Sequence, residues 1–250
     1  MVSFQFDGSE KGLFCCLFVS YTQKKHPDLV TDGVLQQRIG DETIGILTDD
    51  AAAERVKKGL ARCRTKGIFS DVKTVLRSDE KLRFTTLFRY LRLALDNRET
   101  DVSENYADPA VLAVRDIVRR VRLETHRMLG FLRFSRSVEG FYYAHYEPDN
   151  DVTDLLLPHF VDRFRLQPFL IHDVKRNVLG VYDGKKTGVL HLGEQPVTVF
   201  LDRKEDDFLR LWRTYYDSVN IAERKNERLM NACMPKRYHK NLPEKNRVTE

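Results

Sequence analysis

The chain has 250 residues, 42% of them apolar and 10% aromatic, enough to bury a sizeable core and too apolar for a disordered segment. Lys and Arg number 42 against 37 Asp and Glu, and the net charge of +5 permits a polyanionic partner without requiring one. The opening MVSFQFDGSE is no signal peptide, no apolar run reaches bilayer length, and Cys15, Cys16, Cys63 and Cys233 form no CxxC pair. These features exclude a spacing-based zinc or iron–sulfur site, imply no cofactor and no membrane, and predict a cytosolic protein whose cysteines serve as small core residues.

Taken in order, Phe4-Gln5-Phe6 alternates like a short strand, Asp7-Gly8-Ser9 turns, and Leu13 to Tyr21 is apolar enough for a buried helix. The segment GSEKG lacks the Walker pattern. Thr43 to Leu47 reads as a strand, and Thr48-Asp49-Asp50 caps a helix from about Ala51 to Cys63. Two more helices follow, one showing Val72, Val75 and Leu76, the other Leu82, Leu87, Leu91 and Leu95. Asp96 to Ala107 is polar and reads as a surface connection, so residues 1–107 form a mostly helical part.

The part from 108 to 250 reads helix, hairpin, helix, hairpin, helix. Asp108-Pro109 is a cap followed by proline at the first helical position, and Val111, Val114, Ile117 or Val118, and Val121 make the buried stripe. Seven arginines and two acids lie between Arg115 and Arg136, a local excess of +5 equal to that of the whole chain, which suits an anion-facing surface. Gly130 to Arg136 and Phe141 to Tyr146 are the first predicted hairpin. Leu155 to Phe164 is a helix, and Phe169 to Asp173 pairs with Val178 to Tyr182 before the Asp183-Gly184 turn. The expected fold is α+β, an antiparallel or mixed sheet with helices packed on it.

Phe208, Leu209, Leu211, Trp212, Tyr215, Tyr216 and Val219 recur at helical spacing, which predicts a face pressed into the core. An irregular helix from Ala222 to about Ala232 leads into the tail Lys236-Arg237-Tyr238-His239-Lys240. That tail reads either as a strap pinned by Tyr238 and Leu242, as a phosphate-contacting surface with a stacking ring, or as a docking segment.

No GxSxG, HExxH or GxGxxG motif occurs, and the aspartates are too scattered for a two-metal nuclease. His172 and Asp173 are neighbours on a strand, so they point to opposite faces and cannot form a simple acid–base pair. His145 and Glu147 share a face, but no third metal ligand is indicated. His159 and Asp162 are three apart on a helix.

The runs FDGSEKGLFCCLF, HRMLGFLRFSR (His126 to Arg136), PHFVDRFRLQPFLIHDVKR (Pro158 to Arg176) and LWRTYYDSVNIAERKNERLMNACMPKRYHKNLPE resemble an uncharacterised bacterial family of the DUF4130 type, described as DNA metabolism or DNA repair proteins. The resemblance covers essentially the whole chain. It implies work on DNA, because members of that family are typically encoded beside a radical SAM protein of DNA modification or repair, and a similar domain occurs joined to a uracil-DNA-glycosylase-like domain. The family commonly has tryptophan where this chain has His239, which weakens an aromatic platform there. No catalytic residue carries over from the family.

Three functions follow from residues and resemblance together. The first is a DNA-binding accessory or repair protein, with Arg119, Arg120, Arg122, Arg133, Arg136, Lys236, Arg237 and Lys240 on phosphates and Tyr238 and His239 on a base, acting with the radical SAM partner. The second is a nucleic-acid-modifying enzyme in its own right, with His172, Asp173 and His159 as candidates. The third is an adaptor whose arginines hold an acidic protein.

Overall fold

A computed structural model describes residues 1–33, 40–202, 204–219 and 221–246 and shows an α+β fold. The chain divides into two compact units, Met1–Arg122 and Leu123–Glu250.

The first unit is built on three parallel strands in the order β2-β1-β3: β1 (Val2–Gln5), β2 (Leu29–Thr31) and β3 (Glu42–Gly45). Helix α1 (Glu10–Thr22) makes the crossover from β1 to β2, which parallel strands need. Its cap is Ser9, whose hydroxyl accepts from Gly12 N at 2.9 Å. Asp7 fills the space before α1, accepting from Ser9 N at 2.9 Å and from Thr48 Oγ1 at 2.7 Å, and a Cβ on Gly12 would lie 2.3 Å from its carboxylate. Helices α2 (Asp50–Ala61, capped by Asp49), α3 (Ile68–Leu76) and α4 (Arg83–Asp96) complete the unit. Its core packs Phe4 edge-on to Phe88 and buries Leu13, Leu17, Leu87 and Leu91. Cys15 and Cys16 are buried as expected, whereas Cys63 is half-buried and Cys233 exposed.

Helix α5 (Pro109–Phe131) starts where Asp108 and Pro109 predict, with Asp108 Oδ1 accepting from Ala110 N at 2.8 Å. The expected strand from Gly130 is corrected. The helix runs on through Phe131, and only Ser135–Arg136 (β4) pairs in the sheet.

The second unit carries a mixed five-stranded sheet in sequential order: β4, β5 (Tyr142–Tyr146), β6 (Phe169–Asp173), β7 (Val178–Tyr182) and β8 (Thr187–His191). All neighbours are antiparallel except β5 and β6, which are parallel and joined by helix α6 (Thr153–Phe164). That helix buries Leu156, Leu157 and Phe160, and a glycine at 180 gives it room against β7. Ala144, Tyr146, Phe169, Ile171 and Asp173 lie on one set of alternate positions, buried. The other set carries Tyr143, His145, Leu170 and His172.

Helix α7 (Glu205–Ser218) forms with three acids in its first turn, but the expected burial of its apolar face does not occur. Phe208, Leu211 and Tyr215 are 61%, 64% and 57% exposed, and the helix buries no side chain. The next predicted helix is split into a single 3-10 turn, Ala222–Arg224, and α8 (Glu227–Cys233). The tail folds as a 3-10 segment, Lys236–Asn241, with Tyr238 and Leu242 buried as a strap would have them.

Candidate functional site

Within the second unit a cavity of about 1140 Å³ opens beside the β4–β5 edge of the sheet. Phe134, Tyr142 and Phe164 line one side, and the apolar residues of α7, including Phe208, Leu211, Trp212 and Tyr215, line another. The periodicity of α7 therefore faces an aromatic opening and not a filled core. Two cations, Arg133 and Arg163, also line it. Arg163 makes no ion pair among the described residues and is free to meet an anion.

Arg133 is held. Its guanidinium donates to Glu244 Oε1 at 2.7 Å and to Gly130 O at 2.6 Å, and it lies 5.2 Å from the Trp212 ring centroid. Trp212 Nε1 donates to Glu244 Oε2 at 3.0 Å. Burial alone would raise the Glu244 carboxyl, but the bonds from Arg133 and Trp212 outweigh it and hold its pKa below the ordinary value.

At the sheet face, Tyr143 also lines the cavity. Its hydroxyl lies 2.8 Å from Nδ1 of buried His172, whose Nε2 lies 3.1 Å from Asn177 Oδ1. The parallel β5–β6 register brings these together, placing His145 opposite His172 and Tyr143 opposite Leu170. Burial raises the Tyr143 phenol. His145 stacks on Tyr143 with centroids 6.1 Å apart. Desolvation first, and then the neighbouring His172, lower the His145 pKa, with Glu147 opposing.

The other candidates are dispersed. Asp173 points away from His172, as strand alternation requires, and pairs with Arg176 at 2.9 Å; burial raises its carboxyl against that ion pair. His159 is exposed on α6, its ring edge-on to Phe160. Arg119, Arg120 and Arg122 belong to the first unit, where Arg119 meets Asp116 at 3.4 Å and Arg120 meets Glu80 at 3.0 Å. In the second unit Arg237 meets Asp149 at 2.9 Å, Lys240 meets Glu147, and His239 Nε2 lies 3.0 Å from Met234 O. Arg122, Arg136 and Lys236 are exposed and make no ion pair among the described residues.

Tyr238 is buried: its ring lies 5.8 Å from Phe131 and 4.6 Å from the Arg237 guanidinium, and its hydroxyl donates to Glu124 at 2.6 Å.

Sequence reasoning passed over Tyr143, Asn177 and Glu244. The signal for the first was the alternation Tyr143, His145, Glu147 on one strand face. Among the described residues no cluster of three His, Cys, Asp or Glu could hold a metal ion, and no helix is long and apolar enough to cross a membrane.

A profile described as a domain of unknown function (DUF4130) matches residues 81–244. No curated protein and no solved structure matches the chain.

Proposed function

We propose that this chain, which belongs to the DUF4130 family, is a DNA-binding protein of repair or modification that receives an unstacked base in the cavity of its second unit. The observation that carries the reading is the lining: Trp212, Tyr215 and Phe208 offer ring faces beside Arg133 and Arg163. Stacking on aromatic side chains with cationic contact to the backbone is the common chemistry of single-stranded nucleic-acid binding, and a base leaves its duplex stack to enter such a pocket. Arg136 and Lys236, exposed and without an ion pair among the described residues, are available for phosphates. The resemblance to proteins encoded beside a radical SAM enzyme supports a role in which this chain presents DNA to that partner.

Trp212 is the only tryptophan and lines the cavity, so its emission reports occupancy directly. Titrating single-stranded, duplex and uracil-containing DNA at two salt concentrations, with product analysis of the same samples, tests the reading. Quenching that weakens steeply with salt is expected. No response to any DNA at low salt overturns it.

A second reading has its own support. The apolar face of α7 is exposed at Phe208, Leu211 and Tyr215, which would suit docking of a partner protein. It predicts that the radical SAM protein alters Trp212 emission in the absence of DNA.

A further inference from the structure

The hydrogen bonds behind Tyr143 run in one direction only. Asn177, at the β6–β7 turn with φ 51°, places its carboxamide nitrogen 2.8 Å from Gly193 O and 2.7 Å from Gln195 O. Carbonyl oxygens only accept, so the amide nitrogen faces them and Oδ1 faces His172 Nε2 at 3.1 Å. An amide oxygen also only accepts, so Nε2 carries the hydrogen. In the neutral ring Nδ1 is then the acceptor. Tyr143 must give its single hydroxyl proton to Nδ1, 2.8 Å away. The phenol is left with lone pairs and nothing to donate.

We propose that Tyr143 acts in the cavity as a one-way hydrogen-bond acceptor and selects ligands that present an N–H at that point. This rests on the DNA reading above, where the ligand is a nucleobase offering the N–H of its pairing edge. A ligand carbonyl brought to the same place meets an oxygen that cannot donate, and so is disfavoured. Desolvation of the Tyr143 phenol agrees with a hydroxyl that keeps its proton.

The experiment uses the full chain and single-stranded oligonucleotides with one central base, followed by Trp212 emission and by anisotropy of an end label. Each base is supplied with its N–H intact and blocked: thymine against N3-methylthymine, cytosine against N4,N4-dimethylcytosine, adenine against N6,N6-dimethyladenine. Wild-type protein is expected to bind at least one blocked base about ten-fold more weakly, the size of one lost hydrogen bond. Tyr143→Phe is expected to bind both members of that pair equally, which separates the lost bond from the bulk of the methyl group. Should that variant not fold, His172→Leu serves, because it removes the acceptor that takes the Tyr143 proton and frees the hydroxyl to donate into the cavity; the discrimination should shrink. Equal wild-type affinity for every pair overturns the inference and leaves DNA binding standing, as does discrimination that persists in the variants. Absence of wild-type binding to all oligonucleotides overturns the DNA reading itself, and the inference with it.

Discussion

Trp212 Nε1 donates to Glu244 Oε2 at 3.0 Å, tying the only tryptophan to a tail carboxylate 32 positions later. The other carboxylate oxygen takes Arg133 at 2.7 Å, and the Arg133 guanidinium lies over the indole. Since α7 buries no side chain, its place beside the cavity depends on polar contacts of this kind more than on apolar burial. Arg213 adds one more, donating to Pro243 O at 3.1 Å.

Glu244→Ala takes the carboxylate from the partly buried Arg133, which keeps Gly130 O, and leaves the indole N–H without its acceptor. The expected cost is about 2 kcal/mol. Because the sheet and α6 do not contribute to this clasp, far-UV circular dichroism should be retained while Trp212 emission shifts to the red. Urea titration followed by both signals checks this, and an unshifted emission would show that α7 is held by something else.

The pH dependence of the clasp has a definite sign. The folded-state pKa of Glu244 lies below its ordinary value of about 4.5. Its stabilisation is therefore fully present above that ordinary value and is lost as pH falls through the folded-state value. The stability difference between wild type and Glu244→Gln should be constant from neutral pH to about pH 5 and shrink below it. Thermal melts of the pair at several pH values measure that difference.

How much of this was legible depended on whether the signal was local. β6 and β7 showed themselves by apolar runs closed by Asp183-Gly184, and α5 by Asp108-Pro109. β2 is three residues long and β8 is exposed at all five positions, so neither had a hydrophobic pattern to read. The face of α7 was read correctly as apolar, but periodicity reports only that a face seeks apolar company. It does not distinguish a filled core from the wall of an opening. The Tyr143–His172–Asn177 array was hidden because it needs the parallel register of β5 and β6, and because Asn177 takes a left-handed backbone at a turn.

Glu124 is expected to be the costliest polar position in the second unit. Its buried carboxylate accepts from Asp149 N at 2.8 Å, Asn150 N at 2.8 Å, Asn150 Nδ2 at 2.6 Å and Tyr238 Oη at 2.6 Å. Glu124→Ala strands all four donors and should cost about 4 kcal/mol. Tyr238→Phe removes the bond to Glu124 and the one the hydroxyl accepts from Arg237 at 2.8 Å, and should cost about 1–2 kcal/mol. The double variant should cost less than the sum, because both single changes delete the same contact. Chemical denaturation of the four proteins closes the cycle, and strict additivity would deny that the two residues interact.

Gly180 tests the packing of α6 on the sheet. A Cβ there would lie 2.9 Å from Thr153 Cγ2 and 3.0 Å from Leu157 Cδ2, both on α6. Leu157 has a flexible end and can yield, but Thr153 is fully buried and its hydroxyl is bonded to Tyr146 Oη at 2.8 Å. Moving Thr153 would break that bond, so the helix must lift instead. Gly180→Ala should therefore lower stability by roughly 1–3 kcal/mol. Gly188 in β8 supplies the control: a Cβ there meets nothing within 4 Å, and alanine restricts the unfolded chain, so Gly188→Ala should be neutral or slightly stabilising. Thermal denaturation of both variants separates the two effects. Equal stability of the two would mean that α6 gives way without cost, and that the close approach at Gly180 is not what sets its height above β7.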